Sequence, residues 1–243
     1  MANARPTPDW LAPTTYAHRG LHGAKAPENS LAAARLAMEA GLGIECDIQL
    51  SGEGTPFVFH DWELDRLTGY AGSFADMSDR DLMALDLLRT DQRPVPLDHF
   101  LAAIAGRVPV LIELKSLPDY EVEVSSERVC RVLENYKGPH AVMSFDPRVP
   151  RWFAQHSPET CRGLVGTDSL PNGFEHVWRL PESLEQSNPG FLAVDRRDLS
   201  RPEAAAWRRT GQPLLSWTIK TKAEWNRAQP LADALIAEGE ALA

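Results

Sequence analysis

Along 243 residues, short runs of β-forming side chains alternate with helix-length stretches whose apolar residues recur at three- and four-residue spacing. Eight such runs are legible: Thr15–His18, Gly43–Ile48, Val108–Leu114, His140–Ser144, Cys161–Val165, Phe191–Val194, Pro213–Ile219 and Ala232–Ile236. A helical pattern can be placed after each of the first seven. Consecutive strands joined through a helix run parallel, whereas a tight turn only reverses the chain. Sustained over a chain close to the roughly 250 residues such folds occupy, the alternation predicts an α/β fold of one kind, a (β/α)8 TIM barrel. No repeat, low-complexity tract or Gly/Ser linker interrupts it, so residues 1–243 read as a single domain.

The first helix shows how the pattern is read. Asn29 is placed as its N-cap, Leu31, Ala34 and Met38 share a face, and Gly41 supplies the stop. In the helix after the third strand, Val122, Val129, Val132 and Tyr136 share a face that ends before Gly138-Pro139. Two departures from a simple barrel are expected. Ser51-Gly-Glu-Gly-Thr-Pro56 is turn-rich and the β-like run Phe57–His60 follows too closely for a crossover, so that run should return antiparallel as a hairpin. The stretch from Asp61 to Pro96 is then a long excursion with one short helical pattern near Asp79 to Leu88, of the kind that shapes a substrate site. At the other end only residues 237–243 follow the eighth strand, so the C-terminus is shortened and the closing helix is missing or minimal.

Composition restricts the partners. Lys and Arg number 25 against 34 Asp and Glu, a net charge of −9 that opposes non-specific attraction to nucleic acid or to an anionic membrane. An anionic substrate therefore requires a locally positive site. No run approaches the roughly 18 uninterrupted apolar residues of a membrane span, and Met1 to Pro8 lacks the apolar stretch of a secretory signal, which favours a cytoplasmic protein with no stable membrane association. Cys46, Cys130 and Cys161 are odd in number and far apart, and read as buried free thiols.

In Ile44-Glu45-Cys46-Asp47-Ile48 the strand alternation puts both carboxylates on one face, roughly 6.6 Å apart in rise, with the apolar residues on the other. Two acids turned into a barrel need a neutralising charge, and a divalent cation that selects carboxylate oxygen supplies one; a solvated edge strand is the alternative. In the next parallel strand Leu111, Glu113 and Lys115 share a face, with the acid and the lysine toward the C-terminal end where barrel active sites sit. That pair reads either as an internal ion pair or, beside the acids of the neighbouring strand, as a metal ligand and a phosphate-binding cation. His18-Arg19-Gly20 closes the first strand, and His60-Asp61 ends the hairpin's return near the same rim. Arginine offers forked donors to phosphate and histidine moves protons near neutrality. Two histidines, two basic residues and three acids at one mouth are the inventory of metal-assisted phosphodiester hydrolysis.

Taken in order, these segments resemble the glycerophosphodiester phosphodiesterase family, whose pattern runs His-Arg-Gly, Pro-Glu-Asn-Ser/Thr, Glu-x-Asp, His-Asp and Glu-x-Lys. Here they stand as His18-Arg19-Gly20, Pro27-Glu28-Asn29-Ser30, Glu45-Cys46-Asp47, His60-Asp61 and Glu113-Leu114-Lys115. Leu64–Thr68, Val95-Pro96-Leu97, Ser144–Pro147 and Ser216–Ile219 are similar to further segments of the family, so the likeness covers nearly the whole chain. The resemblance implies a (β/α)8 barrel, one Mg2+ or Ca2+ held by Glu45, Asp47 and Glu113, acid-base catalysis by His18 and His60, and phosphate binding by Arg19 and Lys115. It implies cleavage of small-molecule glycerophosphodiesters to sn-glycerol 3-phosphate and an alcohol. The last strand departs from the family's Asp-Gly-Ile-Ile-Thr-Asp-like run, reading Asp233-Ala-Leu-Ile-Ala-Glu-Gly239, which leaves no substrate contact assigned there.

The remaining residues carry two readings each. Trp217 either floors a glycerol pocket or packs in the core, and Asp195 either binds a hydroxyl or pairs with Arg196 and Arg197 on the rim. His22, His99, His140, His156 and His176 are read as surface or packing residues. A related barrel phospholipase that works on membranes would need a docking loop; the Asp61 to Pro96 excursion offers Trp62, Tyr70 and Phe74 but carries seven aspartates. A barrel that binds glycerophosphodiesters without catalysis would not need all seven of the candidate acids, bases and histidines.

Overall fold

The computed structural model of the protein describes residues 7–169 and 173–243; most of the Met1 to Pro8 segment read for a secretory signal lies outside them. Among the described residues ten strands follow one another: β1 (Thr15–Ala17), β2 (Gly43–Leu50), β3 (Pro56–Val58), β4 (Val95–Pro96), β5 (Val110–Leu114), β6 (His140–Ser144), β7 (Cys161–Gly166), β8 (Phe191–Asp195), β9 (Leu214–Ile219) and β10 (Ala234–Ala237). All but β3 and β4 pair parallel in the ring β1-β2-β5-β6-β7-β8-β9-β10, and β1 bonds to both β2 and β10, which closes the barrel. The helices are α1 (Leu31–Glu39), α2 (Asp65–Thr68), α3 (Asp79–Leu82), α4 (Leu97–Ile104), α5 (Val122–Leu133), α6 (Arg148–His156), α7 (Pro181–Ser187), α8 (Pro202–Arg209) and α9 (Lys222–Ala228). After β10 a 3₁₀ turn follows over Gly239–Leu242.

The period of two along each strand sorts side chains into two cores. Ile44, Cys46, Ile48, Val110, Ile112 and Leu114 face outward and pack under α1, α4 and α5. Tyr16, Leu111, Ala141, Val165, Phe191 and Leu215 face inward and meet one another across the barrel, where Leu11 of the N-terminal segment is also buried. The Tyr16 hydroxyl donates to the Leu11 carbonyl at 3.0 Å, tying that segment to the barrel. Gly163 on β7 leaves the room that the Phe191 ring fills; a Cβ there would stand 2.3 Å from it.

The hairpin forms as expected, with β3 antiparallel to β2 through Ile48↔Val58 and Leu50↔Pro56, although the strand stops at Val58 rather than His60. Three features of the excursion differ from expectation. Val95-Pro96 adds a further antiparallel strand on β3, the pattern from Asp79 to Leu88 yields a single helical turn, and α2 with a 3₁₀ turn at Phe74–Asp76 was not anticipated. Phe57, Phe59, Leu64, Leu67, Phe74, Leu82 and Leu87 form a small core of their own here. Tertiary burial, not helical periodicity, organises this segment, so its apolar spacing carries little secondary-structure information. Phe74 is fully buried and stacks on Phe59 with ring centroids 4.7 Å apart, which removes it as a membrane-docking side chain.

Candidate active site

The N-terminal cap of α1 also corrects the sequence reading. Ser30, not Asn29, caps the helix, its hydroxyl accepting from Ala33 N–H at 3.1 Å, a bond of a type that stabilises a helix by about 1 kcal/mol. Asn29 sits one residue earlier at φ 57° and is turned inward. Its Nδ2 donates to Asp47 Oδ2 at 3.0 Å and its Oδ1 accepts from the Asp47 N–H at 3.3 Å. The turn that leads out of β1 is equally constrained. Arg19 adopts φ 57° and Gly20 φ 78°, and a Cβ on Gly20 would lie 2.8 Å from that of Ala33, so the turn needs glycine both for its left-handed backbone and for its contact with α1.

Strand register then assembles the acids. Asp47 is paired with Glu113 across β2 and β5, and Glu45 lies two residues back on the same face. Carboxylate oxygens of all three lie within 4.8 Å of one another, on residues 2%, 2% and 7% exposed in the order Glu45, Asp47, Glu113. Lys115 Nζ stands 3.0 Å from Glu113 Oε1 and 3.6 Å from Asp47 Oδ1, and Arg19 Nε stands 3.2 Å from Asp47 Oδ2. The Arg19 backbone N–H donates to Glu45 Oε2 at 3.0 Å. All these residues, with His18, His60 and Trp217, line one cavity of about 830 Å³ at the C-terminal ends of the strands. The seven candidates and the tryptophan read from the sequence are thus brought together.

Three buried negative charges face two positive ones, and the imbalance falls on Glu45. Burial, then repulsion from Asp47 and Glu113, pushes its carboxyl well above the usual range despite Arg19. For Asp47 burial acts in the same direction but is outweighed by His60, Arg19, Lys115 and His18, which hold it well below that range. Lys115 is raised: burial opposes its charge, and Glu113 and Asp47 more than offset the cost. Arg19 is raised too, since Asp47, Glu28 and Glu45 overcome its desolvation. Of the two readings of Glu113 and Lys115 the ion pair is the one that forms here, and the three acids still outnumber the two cations beside them.

Each histidine is held by a carboxylate at Nδ1. His60 Nδ1 lies 2.7 Å from Asp61 Oδ1, and Arg66 binds Asp61 through Nε at 2.5 Å and Nη2 at 2.9 Å. The same guanidinium reaches Glu28 with two bonds of 2.8 and 2.7 Å, and Glu28 accepts from Arg19 Nη1 at 2.6 Å. The backbone carbonyls of His60 and Asp61 both accept from Gln49 Nε2. His18 Nδ1 lies 2.5 Å from Glu238 Oε2, and its Nε2 stands 4.0 Å from Glu45 Oε2. Burial is the main influence on the His18 imidazole and lowers its pKa, with Glu238 acting against it.

The sequence reading gives Glu28 no role and Asn29 only that of a helix cap, and it assigns none to Arg66 or Glu238. The first two stand in the Pro-Glu-Asn-Ser segment, a signal that was visible, and Arg66 lies in the segment similar to the family after His60-Asp61. Glu238 stands at the strand end left without a contact. His22, read as a surface or packing residue, also lines the cavity, with Nε2 3.5 Å from Glu238. Trp217 gives its indole N–H to the Ala193 carbonyl at 2.9 Å and meets Phe145 edge-on, so it presents carbon, not a donor, to the cavity. Asp195 is buried and paired with Arg197 at 2.6 Å, the rim salt bridge of its two readings. Cys46 is buried, whereas Cys130 and Cys161 are partly exposed; all three are free thiols.

A family model described as the glycerophosphoryl diester phosphodiesterase family matches residues 18–232. A glycerophosphodiester phosphodiesterase of Caldanaerobacter subterraneus is 42% identical over 232 residues, covering 87% of each chain. Glycerophosphodiester phosphodiesterase 1 of Bos taurus is 38% identical over 241 residues, 86% of this chain and 72% of that one. Among solved structures, a phosphodiesterase of Oleispira antarctica in complex with the product sn-glycerol-3-phosphate superposes with a TM-score of 0.82 at 24% identity over 93% of both chains. The Thermotoga maritima glycerophosphodiester phosphodiesterase does so with a TM-score of 0.73 at 23% identity, over 92% of this chain and 94% of that one.

Proposed function

The chain belongs to the glycerophosphoryl diester phosphodiesterase family, and from that premise we propose that it hydrolyses glycerophosphodiesters to sn-glycerol 3-phosphate and an alcohol by histidine acid-base catalysis with a divalent cation. The observation that carries the reading is the buried ring of Glu45, Asp47 and Glu113, flanked by Arg19 and Lys115 and faced by two carboxylate-held histidines at one barrel mouth. The relative solved with sn-glycerol-3-phosphate supports the substrate class.

The donor set fits a hard cation such as Mg2+ or Ca2+, being all carboxylate oxygen and one positive charge short. Glu45, Asp47 and Glu113 would hold it, and when bound it supplies charge that stabilises the phosphoryl group as negative charge grows in the transition state. The protein's own side chains do the rest. Arg19 and Lys115 add positive charge beside the site of the phosphoryl oxygens, on groups whose burial strengthens the attraction. In the hydrolysis one P–O bond forms as another breaks. One histidine accepts the proton released by the attacking oxygen while the other donates a proton to the leaving alkoxide, so protons and charges balance across the step. Trp217 and Phe145 offer an apolar surface for the carbon skeleton of the glycerol arm, and the other arm extends toward Trp62 and Arg66 and the cavity opening.

Phe74 is buried, so one of the three aromatic side chains the excursion offered for membrane docking is withdrawn, which favours the small-molecule reading over a membrane-docking phospholipase. A panel of glycerophosphodiesters assayed for glycerol 3-phosphate release tests it. We expect turnover of choline and ethanolamine head groups alike, abolished by exhaustive chelation and restored by Mg2+ or Ca2+. Equal rates on an alkyl phosphodiester lacking the glycerol hydroxyls would show that glycerol is not what the pocket recognises.

A further inference from the structure

Barrel closure makes neighbours of residues 220 positions apart. β1 and β10 pair parallel in the register Ala17↔Ala237, so the residues that follow each strand, His18 and Glu238, leave adjacent strand ends side by side. The His18 N–H donates to the Ala237 carbonyl at 2.8 Å, which fixes the imidazole's backbone origin against the same strand end. The Glu238 carboxylate is then shared: Oε2 takes His18 Nδ1 at 2.5 Å and Oε1 takes Lys220 Nζ at 2.7 Å.

Resting on the reading of His18 as a proton-transfer group, we propose that Glu238, anchored by Lys220, is the positioning residue that fixes the tautomer and orientation of His18. A carboxylate only accepts, so the bond at Nδ1 requires the proton there and leaves the Nε2 lone pair free. Nε2 is the nitrogen that faces the carboxylate ring, 4.0 Å from Glu45 Oε2. A histidine whose ring could rotate or exchange tautomers would spend part of its time with the wrong nitrogen presented. The groups that surround the pair are Arg19 and His22 from the segment after β1, Glu45 and Asp47 from β2, and Lys220 after β9. Lys220 balances Glu238, so the carboxylate stays ionised and available as an acceptor; Arg19 and Asp47 are engaged with each other. His18, His22 and Glu238 also place potential ligand atoms within 4.8 Å of one another, but the Lys220 ammonium already supplies the positive charge that a second cation would bring.

The test is a double-mutant cycle on the full-length enzyme with its divalent cation present. Glu238→Ala should lower kcat by on the order of 10²-fold with KM within about twofold, as expected when an acid-base group loses its orientation while the substrate's own contacts remain. In a His18→Ala background the same change should have no further effect, because the residue acts through His18 alone. Glu238→Gln keeps the shape and an acceptor oxygen, and should recover part of the loss. Nitrogen-15 imidazole spectra should show His18 protonated at Nδ1 in the wild type and a mixture of tautomers in Glu238→Ala, a change that mere loosening of the strand end does not predict. A Glu238→Ala variant with unchanged kcat, or one that raises KM alone, or one whose defect adds to that of His18→Ala, overturns the proposal. So does a wild-type Zn2+ titration that shows a second stoichiometric site lost in Glu238→Ala. If instead His18→Ala itself retains wild-type turnover, the failure lies in the catalytic reading of His18 and not in the Glu238 contact, which the spectra report independently.

Discussion

His18 and His60 face one cavity from two differently built regions. His18 follows a central barrel strand, and its side chain is 15% exposed, held by a carboxylate that arrives from the last strand of the ring. His60 follows β3 in the hairpin outside the ring; its side chain is 29% exposed, and the carboxylate that holds it is its own neighbour in sequence. Both are fixed at Nδ1, by opposite routes. The first depends on closure of the barrel, the second on a local charge network of Asp61, Arg66 and Glu28 resting on the small core of the excursion. The contrast teaches that a contact made by closing the sheet should open only with the sheet, whereas one made within the excursion should be able to loosen by itself.

The largest effects should come from the histidines themselves. His18→Ala and His60→Ala should each lower turnover by at least about 10²-fold, the size of general acid-base contributions. A variant at either position with near-wild-type kcat would remove that residue from the mechanism and break the symmetry just drawn.

Arg66→Met should separate the two regions. It leaves Asp61 and Glu28 without their shared partner, so turnover should fall by roughly 10-fold through His60, less than for loss of the histidine because the Asp61 bond survives. The same network should make the excursion acid-labile. Burial would raise Asp61 and Glu28, but His60 and Arg66 hold Asp61 low, and Arg66 and Arg19 hold Glu28 low. Their folded pKa values are below the unfolded ones, so their stabilisation is fully present above the ordinary carboxylate range near pH 4 and is lost as the pH falls through and below it. Wild-type thermal stability should therefore drop between about pH 5 and pH 3, and the drop should be shallower in Arg66→Met, as read from melting curves across that range. An unchanged acid limb would show that the network adds no net stability, as exposed ion pairs often do not.

The smallest effect expected is no effect. Cys46 sits between Glu45 and Asp47 on the strand's outward side, fully buried, and burial pushes its thiol well above the usual range. Its alkylation rate reports opening of the barrel strand that carries the acids. Arg66→Met should leave it unchanged; faster labelling would show that the hairpin and the barrel open together. Cys161 is pushed up to about 12 chiefly by burial and should also react slowly.

The sequence carried much of this, and the points at which it stopped are instructive. The alternation of Glu45 and Asp47 and of Glu113 and Lys115 put these side chains on the inner faces where the structure has them, because strand periodicity is a property of the local backbone. The eight parallel strands and the antiparallel return were legible for the same reason. Asn29 was misread as a cap because asparagine and serine are equally good caps, and only the buried Asp47 carboxylate beside it decides which of the two turns inward. In the excursion the short apolar pattern near Asp79 to Leu88 does give a helix, but only over Asp79–Leu82, after which Leu87 joins Leu82 in the Phe57, Phe59 and Phe74 cluster.

What the sequence by itself determined is the strand and helix order, the side each residue faces, and the inventory of acids, bases and cations at the strand ends. Only the tertiary structure decided which of those charges share a partner. Glu238 meets His18 because ring closure sets β10 beside β1, and Arg66 meets Glu28 because the hairpin folds its excursion back over α1's approach. Periodicity is written within a few residues, whereas a hydrogen bond between groups 220 residues apart depends on closure of the whole sheet and on the one arrangement of buried charges that closure permits.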